Sequence, residues 1–186
     1  MNDIEKEIQE IIELKKKNEI DNIYYKEIIK NKLINNTKII HSLNNSQLDE
    51  ECPSDYMGEN IRPYYMFPET QTIPMHYICF ETSFKEVPKY NNTLKVGQVI
   101  FYILCDVKDI FDKQTGIARH DLLSALIIDE FNWSNMFGTQ IRLISDNPAV
   151  VDTYYAGRTL IFEQTTPNSI VKNGVLYNTS RMKNGN

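Results

Sequence analysis

The chain has 186 residues, of which 41% are hydrophobic and 24% are charged, and its formal net charge is −5. This length suits one domain with appendages and allows a core that needs no disulfides or metals. The composition argues against a disordered chain, and the longest apolar run, residues 99–105, is far shorter than the roughly 18 residues of a membrane-spanning helix.

The start of the sequence and its cysteines predict a protein of a reducing compartment. Residues 1–10 are rich in acids, whereas a secretory signal peptide opens with basic and then apolar residues. Cys52, Cys79 and Cys105 are odd in number and widely spaced, which is typical of reduced core thiols. The basic residues cluster tightly at 15–17, within an acidic stretch, so we expect a solvated helix face there and no specific nucleic-acid binding.

Residues 1–43 are predicted to form a helical segment. It contains two apolar stripes with helical spacing: Ile4, Ile8, Ile11 and Ile12 in the first, and Ile23, Tyr24, Ile28, Leu33 and Ile40 in the second. Asn2 or Asp3 can cap the first helix, and Asp21 or Asn22 can cap the second. Glycine and proline do not occur in this segment, so a helical hairpin and one long interrupted helix fit equally well.

Residues 44–73 have no regular period and are predicted to form a long arm. They contain three prolines and a group of aromatic and apolar residues, namely Tyr56, Tyr64, Tyr65, Met66 and Phe67. Loops of this length in compact domains are usually functional or disordered, and the aromatic residues argue against disorder. Two interpretations stay open: the arm lies across a neighbouring subunit, or these side chains cover the chain's own sheet.

Residues 74–165 are predicted to form an α+β core. Strand patterns occur at residues 75–82, 95–107, 139–145 and 154–165, a helix pattern at 117–133, and a turn at 146–148. The order β-β-α-β-β predicts an antiparallel sheet packed on one helix, with Leu160 and Phe162 facing inward. Residues 166–186 are polar and are predicted to form an extended tail.

Nucleophilic catalysis needs a serine or cysteine, a base within reach and an orienting third group. Cys79, His120 and Asp121 could be assigned to these three roles. However, any chain that contains these three residue types offers some combination of this kind. Cysteines inside strands behave as small hydrophobic residues. We therefore expect this protein to have no catalytic residues.

Three acids, Asp106, Asp109 and Asp112, recur at every third position after the second predicted core strand. A calcium loop needs acids at alternate positions, an obligate glycine and a terminal glutamate, which this spacing does not supply. Zinc spacing and a glycine-rich phosphate loop are also missing from the sequence. We expect these acids to solvate the loop, and we expect neither a metal nor a cofactor.

Three stretches of the sequence resemble the neck and tail-completion proteins of tailed bacteriophages, the small head–tail connector and tail-terminator proteins. They are residues 116–123 (GIARHDLL), 131–138 (FNWSNMFG) and 158–169 (RTLIFEQTTPNS). The predicted order of elements also matches, with a leading helix, a β-hairpin, a helix across the sheet and two more strands. The resemblance covers roughly residues 74–170, and the helical segment and the arm are larger than in a minimal tail terminator.

The resemblance implies a non-enzymatic ring, a hexamer or dodecamer, between the portal and the tail. Its partners would be further copies of itself, portal or connector proteins and tail-tube proteins, in the virion and, during assembly, in the host cytoplasm. DNA would pass through the ring without specific binding, and no membrane is involved. An acidic wall suits that passage, because it does not hold phosphates.

Within such a ring, the acids and the arm residues acquire predicted roles. Asp106, Asp109 and Asp112 are candidates for facing the channel. The candidate subunit interface consists of the aromatic and apolar residues of the arm, Tyr56, Tyr64, Tyr65, Met66 and Phe67, which are of types enriched in interface cores.

Two other classes of function remain as alternatives. The first is an adaptor or binding module that dimerises through its helical segment, with Ile4, Ile8, Ile11 and Ile12 as the seam between two chains. The second is a small metal-dependent hydrolase that uses the carboxylates of Asp106, Asp109 and Asp112.

Overall fold

The N-terminal part of the protein is helical, as predicted. The computed structural model describes residues 3–17, 22–66, 72–86, 93–150 and 153–167. Its N-terminal helices are α1 (Asp3–Lys17), α2 (Asn22–Asn35) and α3 (Thr37–Leu43). Asn36 separates α2 from α3, because its backbone is extended and its side-chain oxygen accepts hydrogen bonds from the N–H groups of Lys38 and Ile39.

The apolar face predicted for α2 is confirmed in part, because Leu33 is fully buried and Tyr24 and Ile28 pack against the core. The buried residues of α2 are Tyr25, Ile29 and Leu33, which recur at intervals of four. Ile23, predicted to face inward, is 44% exposed. The prediction extended one stripe across both α2 and α3, whereas the break at Asn36 lets each helix present its own face to the core.

The sheet has five strands in the order β1-β2-β3-β5-β4. They are β1 (Ile61–Arg62), β2 (His76–Glu86), β3 (Leu94–Asp106), β4 (Arg142–Val150) and β5 (Tyr155–Pro167). β2, β3, β5 and β4 pair antiparallel in the predicted manner, and α4 (Arg119–Phe131) lies between the two hairpins in sequence. The α+β fold class is therefore confirmed. One detail was wrong: β1, which comes from the predicted arm, pairs parallel to β2 and makes the sheet mixed.

The predicted turn at residues 146–148 was also wrong, because β4 continues through it to Val150. Proline is typical of turns, which is why the sequence predicted one at Pro148. However, β4 is the edge strand of the sheet, where a residue without an N–H is tolerated on the side that faces solvent. β5 ends at Pro167, and the predicted tail beyond it lies outside the described residues.

The main core lies between one face of the sheet and the helices. Phe101 in the central strand β3 is its hub, with ring centroids 4.9 Å from Phe131 of α4 and 5.7 Å from Phe162 of β5. Leu160 and Phe162 are both fully buried, which confirms the predicted inward face of β5. The opposite face of the sheet carries a smaller cluster, which consists of Met75, Tyr77, Cys79, Leu104 and Tyr155.

The predicted arm contributes directly to these cores. Tyr56 and Ile61 are fully buried in the main core, together with residues of the helices and the sheet. Asn60 fixes this segment to β2: its carbonyl accepts a hydrogen bond from the N–H of Ile78, and its side chain donates to the carbonyl of His76, both at 2.8 Å. The first part of the arm is thus packed onto its own sheet.

Candidate functional site

A buried polar cluster lies where α3 ends, β2 begins and α4 begins. The carboxylate of Asp109 is at its centre and accepts hydrogen bonds from Asn44 Nδ2 at 2.7 Å, His76 Nε2 at 3.3 Å and Arg119 Nη2 at 3.2 Å. The side chain of His76 is fully buried, and that of Arg119 is 3% exposed. We refer to Asn44, His76, Asp109 and Arg119 as the polar cluster; it connects four segments that are distant in sequence.

Arg119 provides most of the donors in the polar cluster. Its Nη1 donates to the carbonyl of Ser42 at 3.0 Å, and its Nε donates to the carbonyl of Asp109 at 3.2 Å. Arg119 is the first residue of α4, where the helix dipole disfavours a positive charge. The carboxylate of Asp109 offsets that cost. Because Arg119 also donates to the carbonyl of Ser42, it holds the start of α4 against the end of α3.

The ionisation of His76 and Asp109 follows from this environment. Burial, and next the positive charge of Arg119, lower the pKa of His76 to about 4, although the hydrogen bond to Asp109 acts in the opposite direction. Burial acts to raise the pKa of Asp109, but the hydrogen bonds from Asn44 and His76 and the charge of Arg119 outweigh it, and the net pKa is lowered. At neutral pH the pair is therefore a neutral imidazole that donates from Nε2 to a carboxylate.

The imidazole of His76 is enclosed within the polar cluster. The His76 ring does not reach solvent, and its Nδ1 has no hydrogen-bond partner among the described residues. Sequence reasoning missed this cluster because the members that contact each other are 10 to 65 positions apart. One feature of the sequence did point to the pair of Arg119 and Asp109. An arginine in the first turn of a helix needs a nearby acid to offset the helix dipole, and Asp109 lies ten residues before Arg119, just after a predicted strand.

The predicted channel-facing acids all make contacts within the chain. Asp106 is 3% exposed, and its side chain accepts a hydrogen bond from the N–H of Lys108, which caps the 3₁₀ turn Val107–Asp109. Asp112 accepts hydrogen bonds from the N–H and the hydroxyl of Thr115, and these bonds lower its pKa. Asp106 is too deeply buried to line a channel, and the carboxylates of Asp109 and Asp112 already have donors.

The same contacts bear on the alternative of a metal-dependent hydrolase. The guanidinium of Arg119 lies 3.2 Å from the carboxylate of Asp109 and 3.8 Å from that of Asp112, so both carboxylates are already paired with the same cation. Within the described part of the chain, no group of three or more histidine, cysteine, aspartate and glutamate side chains is arranged to hold a metal ion.

The residues of the hypothetical Cys79, His120 and Asp121 set are not brought together. Cys79 belongs to the cluster on the sheet face that is turned away from α4, whereas His120 and Asp121 lie on α4. Burial raises the pKa of the Cys79 thiol, as it also does for Cys105. Both thiols are free and buried as predicted, but Cys52 is exposed, which contradicts its assignment to the core.

The candidate interface residues of the arm separate into buried and exposed members. Tyr56 is fully buried in the chain's own core, which overturns its prediction as an interface residue. Tyr64 and Tyr65 are each 47% exposed, and the ring of Tyr65 lies 4.7 Å from that of Tyr102 on β3. Met66 is half-buried, and Phe67 lies outside the described residues.

An open groove of about 730 Å³ lies at the other edge of the sheet, where β4 begins. Its wall includes Trp133, which is 58% exposed and has a positive φ of 63°. The guanidinium carbon of Arg142 lies 5.6 Å from the centre of the Trp133 ring, a distance at which cation–π attraction operates. No pattern in the sequence pointed to this groove.

The fold and the polar cluster together define a two-layer α+β protein whose interior charges hold its helices and strands in place. Among the described residues, no helix combines the length and the apolar character needed to cross a bilayer. The model of the YomW family matches residues 5–164, well over half of the chain, and the protein therefore belongs to the YomW family. The family name comes from a phage-type gene of Bacillus and indicates a phage-associated protein. No curated protein matches the chain.

Proposed function

We propose that this protein is a structural component of the phage virion neck or tail and acts without enzymatic activity. It forms a ring of six or twelve copies that joins the portal to the tail around the DNA channel. Its partners are further copies of itself, portal or connector proteins and tail-tube proteins, and it is present in the host cytoplasm while the virion assembles. Membership of a phage-associated family supports this proposal, as does an α+β core with the order of elements typical of such rings.

The observation that carries the proposal is the exposed aromatic surface on the arm. Tyr64 and Tyr65 are each 47% exposed, and Ile73, a few residues further along the chain, is 43% exposed. Tyrosine is enriched in protein interfaces, because it offers a large apolar area and a polar tip. We refer to Tyr64 and Tyr65 as the arm patch, and we assign to it the contact between neighbouring subunits of the ring.

The acidic surface of the protein supports passage of DNA. Residues 49–59 carry five acids and no base, and all five acids are exposed: Asp49, Glu50, Glu51, Asp55 and Glu59. A surface of this charge repels phosphates, so DNA can slide past it without being held. These acids suit a channel wall better than Asp106, because their carboxylates reach solvent.

Point substitutions in the arm patch test the subunit contact. Deleting the whole arm would not test this contact, because the deletion would remove the buried side chains of Tyr56 and Ile61 and disrupt the core. Tyr64 is exposed, so we expect Tyr64→Ser to leave the fold intact and to reduce ring formation at least tenfold, as seen by sedimentation velocity.

The matched control is Trp133→Ser, which removes a 58% exposed aromatic side chain at the opposite edge of the sheet. We expect this variant to form rings as the wild type does. Equal loss of rings in both variants would mean that general surface hydrophobicity drives association. Unchanged assembly of Tyr64→Ser would remove the arm patch from the interface.

The adaptor alternative has one observation in its favour. Ile4, Ile8 and Ile11 of α1 are 68%, 52% and 59% exposed, so the first helix presents an apolar stripe that the described residues leave largely uncovered. An adaptor that only dimerises would give a closed dimer in sedimentation, whereas the neck proposal requires at least six subunits.

A further inference from the structure

The arm passes from one face of the sheet to the other next to the arm patch. Ile61 is buried in the main core, on the side of the helices. The guanidinium carbon of Arg62 lies 4.9 Å from the centre of the ring of Tyr77, which belongs to the cluster on the opposite face. On that same face the ring of Tyr65 packs on Tyr102, which borders the cluster. The chain therefore crosses the edge of the sheet between Ile61 and Tyr65.

Lys26 of α2 reaches the arm at this crossing. Its Nζ donates to the carbonyl of Pro63 at 2.5 Å and to the carboxylate of Glu81 on β2 at 2.6 Å. The side chains of Lys26 and Glu81 are both half-buried, and hydrogen bonds from a charged group are stronger than those between neutral groups. One ammonium group thus connects a helix, the arm and the sheet.

The arm residues around Pro63 cover a cysteine of the sheet. The thiol of Cys79, which is fully buried, donates to the carbonyl of Met66 at 4.0 Å. Arg62 ties this part of the arm together, because its Nη1 lies 3.1 Å from the sulfur of Met66. We refer to residues 62–66 as the strap; it contains the whole arm patch.

We propose that Lys26 is a positioning residue for the arm patch: its two hydrogen bonds close the strap on the sheet and fix Tyr64 and Tyr65 in the orientation in which a neighbouring subunit meets them. A surface that is ordered before binding loses less conformational entropy when the contact forms. The effect of Lys26 on the strap stands by itself, whereas its effect on the subunit contact rests on the proposed neck function.

The reactivity of the Cys79 thiol measures how often the strap opens. The test uses the full chain with Cys52→Ser, because Cys52 is exposed, whereas Cys105 is buried and serves as an internal reference. The chain also carries Tyr64→Ser, which is expected to remove the ring contact, so that labelling reports on the strap alone. We expect Lys26→Met to raise the rate at which N-ethylmaleimide labels Cys79 about tenfold, because hydrogen bonds from a charged group are lost. Labelling of Cys105 should stay as slow as in the parent chain.

The matched control is Lys30→Met, which removes a lysine one turn further along α2. Among the described residues, its ammonium group is paired only with Glu27 of the same helix, at 3.9 Å. This variant should label at the rate of the parent chain. Lys26→Gln, whose side chain is shorter and uncharged, is a second variant with the same expected effect as Lys26→Met. If both Lys26 variants label Cys79 no faster than Lys30→Met does, the proposal is overturned.

Subunit association separates this proposal from the neck function. With Tyr64 intact, we expect Lys26→Met to raise severalfold the chain concentration at which rings dissociate, as measured by sedimentation velocity, and Lys30→Met to leave it unchanged. Faster labelling of Cys79 with unchanged dissociation of the rings would overturn the positioning role of Lys26 in assembly. Faster labelling in a chain whose wild type forms no rings would support the closing of the strap by Lys26 and contradict only the neck function.

Discussion

A single glycine in β5 is required by the close approach of two strands. A Cβ atom added to Gly157 would overlap the carbonyl oxygen of Ile103 in β3, a backbone atom that cannot rotate away. We expect Gly157→Ala to lower the free energy of unfolding by about 1–3 kcal/mol, as overpacking does in other cores. Urea denaturation measures the change.

Gly97 in β3 is the matched control for that substitution. The nearest atom to an added Cβ there is Cγ of Gln164 at 3.8 Å, an ordinary van der Waals distance, and that side chain can move. Gly97→Ala should therefore change the urea midpoint of unfolding much less than Gly157→Ala does. Similar losses in the two variants would show that the close approach at Gly157 is not the cause.

The polar cluster predicts a pH dependence of stability. The pKa of His76 is lowered to about 4 in the fold by burial and by Arg119, from 6.5 in the unfolded chain. Between these values the unfolded chain binds a proton that the folded chain does not, so stability falls as the pH falls from about 6.5 to about 4. The total loss is on the order of 3 kcal/mol.

Thermal denaturation across this pH range measures how steeply the stability changes with pH. Two histidine variants show which side chain causes this slope. His76→Gln should lose this part of the slope even if it is less stable at every pH. His41→Gln should keep it, because the side chain of His41 is 57% exposed. A slope that persists in His76→Gln would contradict the assignment.

At the scale of elements, the cap of α3 is the clearest local signal. Asn36 Oδ1 accepts hydrogen bonds from the N–H groups of Lys38 at 3.2 Å and Ile39 at 3.3 Å, and Asn36 Nδ2 donates to Glu130 of α4 at 3.0 Å. We expect Asn36→Ala to cost about 1 kcal/mol, as loss of an N-cap usually does.

Asn36→Ser separates the two roles of this side chain. Serine keeps a capping oxygen, removes the donor to Glu130 and adds no charge beside that carboxylate, so its cost reports the contact between the helices. If Asn36→Ala and the wild type unfold at the same urea concentration, the cap does not hold α3 in place.

Sequence patterns predicted those elements whose residues are buried by near neighbours in the chain. The strands β2, β3 and β5 were predicted because apolar residues continue or alternate along them, and α4 was predicted from its apolar stripe. The patterns failed where distant partners decide the structure. Pro148 fits a strand only because β4 is at the edge, and β1 forms only because Asn60 is fixed to β2.

The candidate site was harder to predict for the same reason. Asp109 was singled out as an acid in a loop, but its donors come from Asn44, His76 and Arg119, which the sequence places far apart. Tyr56 and Tyr64 are both aromatic residues of the predicted arm, and the sequence does not distinguish them. In the structure Tyr56 is fully buried, whereas Tyr64 is 47% exposed. Only the path of the arm over the sheet distinguishes them.

At the scale of the whole molecule, helices α2, α3 and α4, the first part of the arm and the sheet share one buried core. Exposed apolar side chains of the described residues lie outside this core, among them those of the arm patch and of the stripe of α1, and such surfaces suit contacts with other proteins. The chain is therefore a small α+β protein of a phage-associated family.

Native mass spectrometry of the purified full chain tests the proposed ring most directly. The account predicts closed assemblies of six or twelve subunits, and it predicts that Tyr64→Ser dissociates them into pairs or single chains. A wild-type chain that forms only monomers or dimers at every concentration would contradict the ring.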